Sequence, residues 1–475
     1  MLLGSLTVAL AAAGACAQAV GQFAQDDQTT FNVLHHLGGH GPYVRHRGYG
    51  IPWEPPAGCY VDQVHMLMRH GERYPKSAHG RAEIALIERL KRAPVPAAGP
   101  LAFVHNYTYF STIADFGLET ATGPYAGTKE AVRAGTAYGE RYGHLVAGET
   151  AMFTADSNRV VVTAQKFAEG FFARPDWNES ASLYVVSQAA DRGADTLTPD
   201  KTCARYHRKA NESLYTSFPD TYLHAAAARL NRQSPGFNVT AADAGVMMTL
   251  CGLELDARPS SPWCTLFTPE EWIAHGYTED LAHFYKDGPG HELSRTLGLV
   301  WANATAALMG GDARPRGSGS DAAGPPQSVY LSFTHDKDVM YVVSALGLAD
   351  TAPLPTDRID FGSRFVSSEI VPMAARVVLE RLHCGRSPET VHVRVVLNDA
   401  VVPVPGCQTG PGFACPLEDF RRHLAGRAQQ PFDEACGLNA SAARAPAFFA
   451  RYRDAAYTRA NVPIRAGVPV DDEPE

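Results

Sequence analysis

Arg69-His70-Gly71-Glu72-Arg73-Tyr74-Pro75 sets two guanidiniums around an imidazole within seven consecutive residues. A guanidinium fork matches phosphate oxygens and an imidazole nitrogen can act as a nucleophile, so the run points to phosphoryl chemistry. The apolar stretch Val61, Val64, Met66, Leu67 and Met68 precedes it, and a polar, Gly-containing segment follows. That pattern reads as a buried strand ending in a loop. In an α/β sheet the ligand crevice lies beyond the carboxyl ends of the strands, where such a loop would present its side chains. Pro75 stiffens the exit. For R-H-G alone, a surface loop that happens to hold cations is the simpler reading; the full run is far more specific.

A second pair of chemically capable residues lies far downstream. Ser328-Val329-Tyr330-Leu331-Ser332-Phe333-Thr334 is rich in β-branched and aromatic residues and bounded by Gly324-Pro325-Pro326, which predicts a strand. His335-Asp336 ends it, ahead of an amphipathic run with Val339, Val342, Val343 and Leu346 at helical spacing. In isolation the dipeptide is better explained by a helix N-cap aspartate; beside the upstream run it becomes a strong signal. Arg159 is a third candidate. It follows the short strand 151–155 and opens a helix running to about Phe172, with Val161, Ala164, Phe167, Ala168 and Phe171 as the buried stripe. A cation in a first helical turn opposes the helix dipole, which a bound anion would explain; a solvated surface arginine is the alternative.

The R-H-G-E-R-Y-P run resembles the signature of the histidine acid phosphatases, and the His-Asp pair and S-x-R-V-x-x-T-A around Arg159 resemble further elements of that family. Gly123-Pro124-Tyr125-Ala126-Gly127, Arg141-Tyr142-Gly143-His144-Leu145, the segment 193–199 and Leu397-Asn398-Asp399-Ala400-Val401 are similar to its fungal branch often called 3-phytase B. The likeness spans roughly residues 40–450. It implies a phosphoglycerate mutase-like three-layer α/β sandwich with an inserted, mainly helical domain. It also implies that His70 is the nucleophile, that Arg69, Arg73, Arg159 and His335 hold the phosphate, and that Asp336 is the proton donor. No metal or other cofactor is expected, and the substrates would be small phosphomonoesters, phytate included. Lys76 follows the signature where relatives often carry a small hydroxyl residue, and a cysteine pair of some relatives is missing.

The composition is that of an ordinary globular protein. Of 475 residues 45% are hydrophobic and 19% charged, and the formal charge of −8 with no Lys/Arg cluster argues against a nucleic-acid partner. Protonation of the 18 histidines would turn the surface cationic in acid. Leu2 to Ala17, ending in Ala15-Cys16-Ala17, reads as a signal peptide (1–17), too short to span a bilayer. No other stretch is long and apolar enough to cross one, and the acidic end Val470-Asp471-Asp472-Glu473 excludes a GPI-type tail. A secreted, extracellular protein without membrane attachment is expected, its oligomeric state left open, a homo-oligomer included.

Eight cysteines remain after Cys16, an even number that in a secretory context implies disulfides. Close spacing favours Cys251 with Cys264 and Cys407 with Cys415; the resemblance implies Cys59 with Cys384 and Cys203 with Cys436. A zinc site is a poor alternative because no C-x-x-C pair occurs. Sequons at Asn106, Asn178, Asn211, Asn238, Asn303 and Asn439 predict glycosylation on surface loops.

The elements that must position these residues follow in order. Residues 18–50 read as an extended N-terminal arm. The α/β catalytic domain is expected at 51–190 and 326–475, and a mainly helical insertion at 191–325, ending in the Gly/Pro/Ser-rich flexible loop 310–327. Its clearest helical pieces are 225–230, 246–255 and 295–309. A helix is expected at 82–92, strands at 183–187, 373–382 and 391–397. Lys76, His79 and Arg81 either line the pocket mouth or form a solvated helix start. Three rivals remain: a mutase or bisphosphatase on the same fold, a broad acid phosphatase with little phytate activity, and a glycoprotein that only binds phosphorylated ligands.

Overall fold

The protein is described by a computed structural model over residues 31–460, apart from 94–97, 174–176, 178–179, 312–326, 386–389, 440 and 456–457. The expected signal peptide, the first part of the arm, most of the 310–327 loop and Asn178 lie outside the described residues.

The longest strand, β1 (Cys59–Arg69), is the signature's apolar run, and from Val64 to Arg69 every residue is buried. Such continuous burial marks a central strand with parallel neighbours. β2 (Thr150–Ala155), β3 (Ala181–Val186) and β4 (Val329–Thr334) are short and almost wholly buried, and β5 (Arg376–Cys384) and β6 (Thr390–Leu397) complete the body of the sheet. β7 (Ala400–Val401), β8 (Cys415–Pro416) and β9 (Thr458–Ala460) are edge additions. The order β7-β6-β5-β1-β4-β2-β3-β9, with β8 on β6, puts β1, β4, β2 and β3 side by side and parallel, while β5 runs antiparallel to β1.

Helices α1 (Ser77–Lys91), α2 (Gly127–Tyr142), α3 (Asn158–Phe171), α4 (Asp220–Gln233), α5 (Ala241–Leu255), α6 (Pro269–Lys286), α7 (Ser294–Met309), α8 (Asp336–Leu346) and α9 (Leu417–Arg427) surround it. Phe333 of β4 meets Phe167 of α3 on one face. Three residues earlier, Tyr330 points to the other and meets Phe449. On that second face Leu67 shares a small void with Leu297, Val300 and Val342 of α7 and α8. These are the three layers: helix, sheet, helix.

The expected elements are present with shifted bounds. The first helix begins at Ser77, not Ala82, because its polar first turn is covered from outside: a Cβ on Gly80 would lie 2.3 Å from the Phe116 ring. β5 begins at Arg376 rather than Met373, since Ala374 has φ 56° and breaks the extended run. The arm is not extended throughout. It forms 3-10 turns at Val33–His36 and Gly38–His40. Helix α6 goes beyond the pieces that periodicity marks; it carries buried Trp272, Tyr277, Leu281 and Phe284 and starts with a capping box at Thr268 and Glu271.

Packing does not respect the 191–325 boundary. A second core joins Met247, Cys251, Trp263 and Trp272 of the helical segment to Leu86 and Leu90 of α1 and to Leu101 and Val104. Conversely, Trp301, Ala302 and Met309 of α7 belong to the sheet's core. Disulfides join all four pairs: Cys59–Cys384, Cys203–Cys436, Cys251–Cys264 and Cys407–Cys415. Cys59 and Cys384 are already cross-strand neighbours in the β1/β5 register. Of the sequons, Asn106, Asn238, Asn303 and Asn439 are exposed. Asn303 sits on helix α7 rather than a loop, and Asn211 is half-buried, its Nδ2 donating to the Tyr285 carbonyl at 3.1 Å. No described helix is long and apolar enough to cross a membrane.

Candidate active site

Three neighbouring parallel strands deliver the candidate residues to one edge of the sheet. Arg69 ends β1 opposite Thr334, the last residue of β4, and His70 continues that ladder by donating its backbone N–H to the Thr334 carbonyl at 3.0 Å. His335 and Asp336 follow β4 directly. β2 pairs with β4 through Thr154 and Phe333, and four residues beyond its end Arg159 opens α3. The residues expected beyond the strand ends from the sequence therefore come from β1, β4 and β2 together.

His70 is 2% exposed, and its Nδ1 lies 2.8 Å from the carbonyl oxygen of Gly71. A carbonyl only accepts, so Nδ1 carries the proton and Nε2 keeps its lone pair. Burial drives the His70 pKa well below the ordinary histidine value, and Arg159, Arg69, His335 and Arg73 push it the same way. These influences favour the neutral imidazole.

The cations around it are anchored from outside the motif. Arg69 donates through Nη1 to the Val371 carbonyl at 2.5 Å and through Nη2 to the Gly39 carbonyl at 2.8 Å. The arm thus reaches the site, and it does so closely: a Cβ on Gly39 would stand 2.9 Å from His283 Nε2. Arg73, also buried, donates to the Tyr74 carbonyl at 3.0 Å. Arg159, 4% exposed, places Nη2 3.2 Å from His335 Nδ1. Guanidinium can only donate, so His335 Nδ1 accepts and its proton sits on Nε2, a donor for a phosphate oxygen.

Asp336 sits at the start of α8 with Oδ2 3.6 Å from Arg69 Nη2, and its side chain remains 27% exposed. Burial raises its pKa, but Arg69, Arg208, Lys76 and His283 outweigh that and hold the carboxyl well below the usual range. These groups therefore favour the ionised carboxylate at Asp336. Arg208 is itself fixed by two hydrogen bonds to Asp287, at 3.0 and 2.9 Å.

The signature loop is held by groups that linear spacing does not reveal. Glu72 accepts from the Tyr43 backbone N–H at 2.8 Å. Gly71 donates to Thr163 Oγ1 at 2.9 Å, and Tyr74 and Thr120 pair the loop with 118–120. Of these only Thr163 had a legible cue, one helical turn after Arg159. Gly39, Arg208, His283 and Glu119 had none. Lys76 occupies the N-cap of α1 and its charge reaches Asp336; the His79 ring stands 5.4 Å from that of His40; Arg81 is exposed.

The arrangement sets a buried imidazole among fixed guanidiniums, beside a partly exposed carboxyl. The model of the histidine phosphatase superfamily (branch 2) matches residues 60–398. A phytase of Candida albicans is 37% identical over 91% of this chain and 92% of its own. An acid phosphatase of Komagataella pastoris is 39% identical over 87% and 88%. The crystal structure of the phytase from D. castellii superposes with a TM-score of 0.84 at 34% identity, covering 93% of this chain and 96% of that one. A family match over most of the chain, joined by relatives alike in sequence and in fold, makes this chain a phosphatase belonging to branch 2 of the histidine phosphatase superfamily.

Proposed function

We propose that the protein is a secreted hydrolase of phosphomonoesters, phytate among them, working through a phosphohistidine at His70. One observation carries the reading: His70 presents an unprotonated Nε2 at the end of β1, within a group of buried cations that suits a phosphoryl group. The names of the relatives, phytase and acid phosphatase, support the substrate class.

In this mechanism the phosphoryl group sits among Arg69, Arg73, Arg159 and His335, which neutralise its equatorial oxygens and the charge that develops in the transition state. His70 Nε2 forms a bond to phosphorus as the bond to the ester oxygen breaks, and Asp336 gives that oxygen its proton. Water then attacks phosphorus, Asp336 takes the proton, and phosphate leaves a neutral His70. The cations do the electrostatic work that divalent ions do in other phosphatases.

Asp336 must gain a proton although the groups around it hold its carboxyl well below the usual range. Phosphate brings negative charge among the same cations that depress the carboxyl, so binding raises its pKa. Monoesters with a second pKa near 6 also arrive as monoanions in acid. Activity favouring acid follows from both effects. Export rests on the signal-like residues 1–17, the sequons and the disulfides.

Phosphate release from p-nitrophenyl phosphate and phytate at acid pH, by the wild type and by His70→Ala, tests the reading. Turnover of both by the wild type and of neither by the variant is expected. Wild-type binding of phosphate esters without hydrolysis would favour the ligand-binding rival.

A further inference from the structure

The hydroxyl of Thr163 stands at the meeting point of the nucleophile loop and the helix of Arg159. Its Oγ1 accepts from the Gly71 N–H at 2.9 Å, lies 2.8 Å from the Arg159 carbonyl and lies 2.9 Å from Oε1 of Glu119. Thr163 is fully buried and Glu119 is 8% exposed. Glu119 also fits the loop's shape: a Cβ on Gly71 would fall 2.4 Å from Glu119 Oε1. Its backbone is pinned by the short ladder in which Arg73 bridges Glu119, Thr120 donates to the Glu72 carbonyl and Tyr74 to that of Leu118.

Counting protons decides how the three contacts coexist. A threonine hydroxyl offers one proton and two lone-pair directions. The Gly71 N–H fills one lone pair. The single proton can serve either the Arg159 carbonyl or Glu119, and if Glu119 were ionised one contact would be oxygen against oxygen with no proton between. If Glu119 is a carboxylic acid, its O–H fills the second lone pair, the hydroxyl proton goes to the Arg159 carbonyl, and each contact has one hydrogen. Its other oxygen, Oε2, is buried with no hydrogen-bond partner among the described residues, which a full carboxylate would tolerate poorly.

We propose that Glu119 is a positioning residue that works as a neutral carboxylic acid, donating to Thr163 and so locking the amide beside the nucleophile to the helix that carries Arg159. The proposal rests on the phosphohistidine reading for its functional meaning. The lock sets His70 against Arg159, two groups whose relative placement decides in-line attack. Its surroundings favour the neutral form. Burial pushes the Glu119 pKa well above the usual carboxyl range; the Thr163 hydrogen bond opposes this, Glu72 adds to it, and Lys166 and the Gly71 amide oppose it. Glu72 on the signature loop is itself pushed up to about 8 by burial and by Glu130 of α2, against the Tyr43 amide.

A carboxyl that keeps its proton only in the fold loses the protein stability as pH climbs above the unfolded value of about 4.3. Glu119→Gln replaces the acid with a donor that cannot ionise. Its melting temperature relative to the wild type should therefore rise with pH between about pH 5 and 8, on the order of 1 °C or more per pH unit. At acid pH the Gln variant should keep more p-nitrophenyl phosphate turnover than Glu119→Ala, and Thr163→Ser more than Thr163→Val, with roughly 10-fold or greater loss in Ala and Val. A melting-temperature difference flat across pH, or a Gln variant as inactive as Ala, overturns the proposal. If the phosphatase reading itself failed, no variant would release phosphate and the pH dependence of melting would still report the protonation of Glu119.

Discussion

Arg159 Nη2 lies 3.2 Å from His335 Nδ1, so a helix opening after β2 holds the imidazole that ends β4. The contact keeps the His335 proton on Nε2, where phosphate can receive it. Arg159→Ala and His335→Ala should each lower kcat/KM by about 10²–10³-fold, the usual cost of one such donor. Because Arg159 acts partly through His335, the double variant should lose clearly less than the product of the two losses, as a double-mutant cycle on p-nitrophenyl phosphate would register.

In the proposed mechanism Asp336 serves only when the departing oxygen requires a proton. Asp336→Asn should slow glycerol or inositol phosphates by roughly 10²–10⁴-fold while affecting p-nitrophenyl phosphate far less. Equal losses on alkyl and aryl esters would mean that the carboxyl positions phosphate instead of donating to the leaving group.

Lys76 is one of the cations that depress Asp336, after Arg69 and Arg208. Lys76→Ser removes a lowering influence, so the carboxyl should hold its proton to higher pH and the alkaline limb of the kcat profile should move upward. The signature's neighbour would thus set working pH as well as local charge. An alkaline limb that stays in place or moves downward would contradict this.

Gly71 is required by contact. Its added Cβ would meet Glu119 Oε1 at 2.4 Å and the Gly127 carbonyl oxygen at 2.9 Å, the latter on backbone that cannot swing aside. Gly71→Ala should therefore shift the loop and cut kcat by at least about 10²-fold, since small displacements of a nucleophile cost that much. Near-ultraviolet circular dichroism would check that the rest of the fold survives.

Much of this site was legible from local signals. β1, β4 and the β2–α3 junction each announce themselves by apolar runs followed by polar turns, so His70, Arg69, Arg73, His335, Asp336 and Arg159 could be placed on strand ends and a helix start. Adjacency of the three strands could not be read from spacing, because β1 and β4 meet through a register that sets residues far apart in sequence, such as Met68 and Phe333, side by side. Nor could the anchors. Gly39 serves Arg69 through a carbonyl, which any residue type possesses, and Asp336 is reached by His283 on α6 and by Arg208, which Asp287 just past the end of that helix holds. The depression of the Asp336 pKa likewise comes from Arg69, Arg208, Lys76 and His283, all distant from it in sequence. Periodicity also blurred the helical segment's limits, since α7 buries Trp301 in the sheet's core while α1 supports the second one.

Rapid acid-free quench of the enzyme with ³²P-labelled substrate, followed by peptide mapping, addresses the covalent step itself. With Asp336→Asn and an aryl phosphate, bond cleavage needs little acid while hydrolysis lacks its base, so the intermediate should accumulate. The expected result is base-stable, acid-labile label on the peptide carrying His70, and none in His70→Ala. Burst release of p-nitrophenol without label on that peptide, or label on any other residue, would contradict nucleophilic attack by His70.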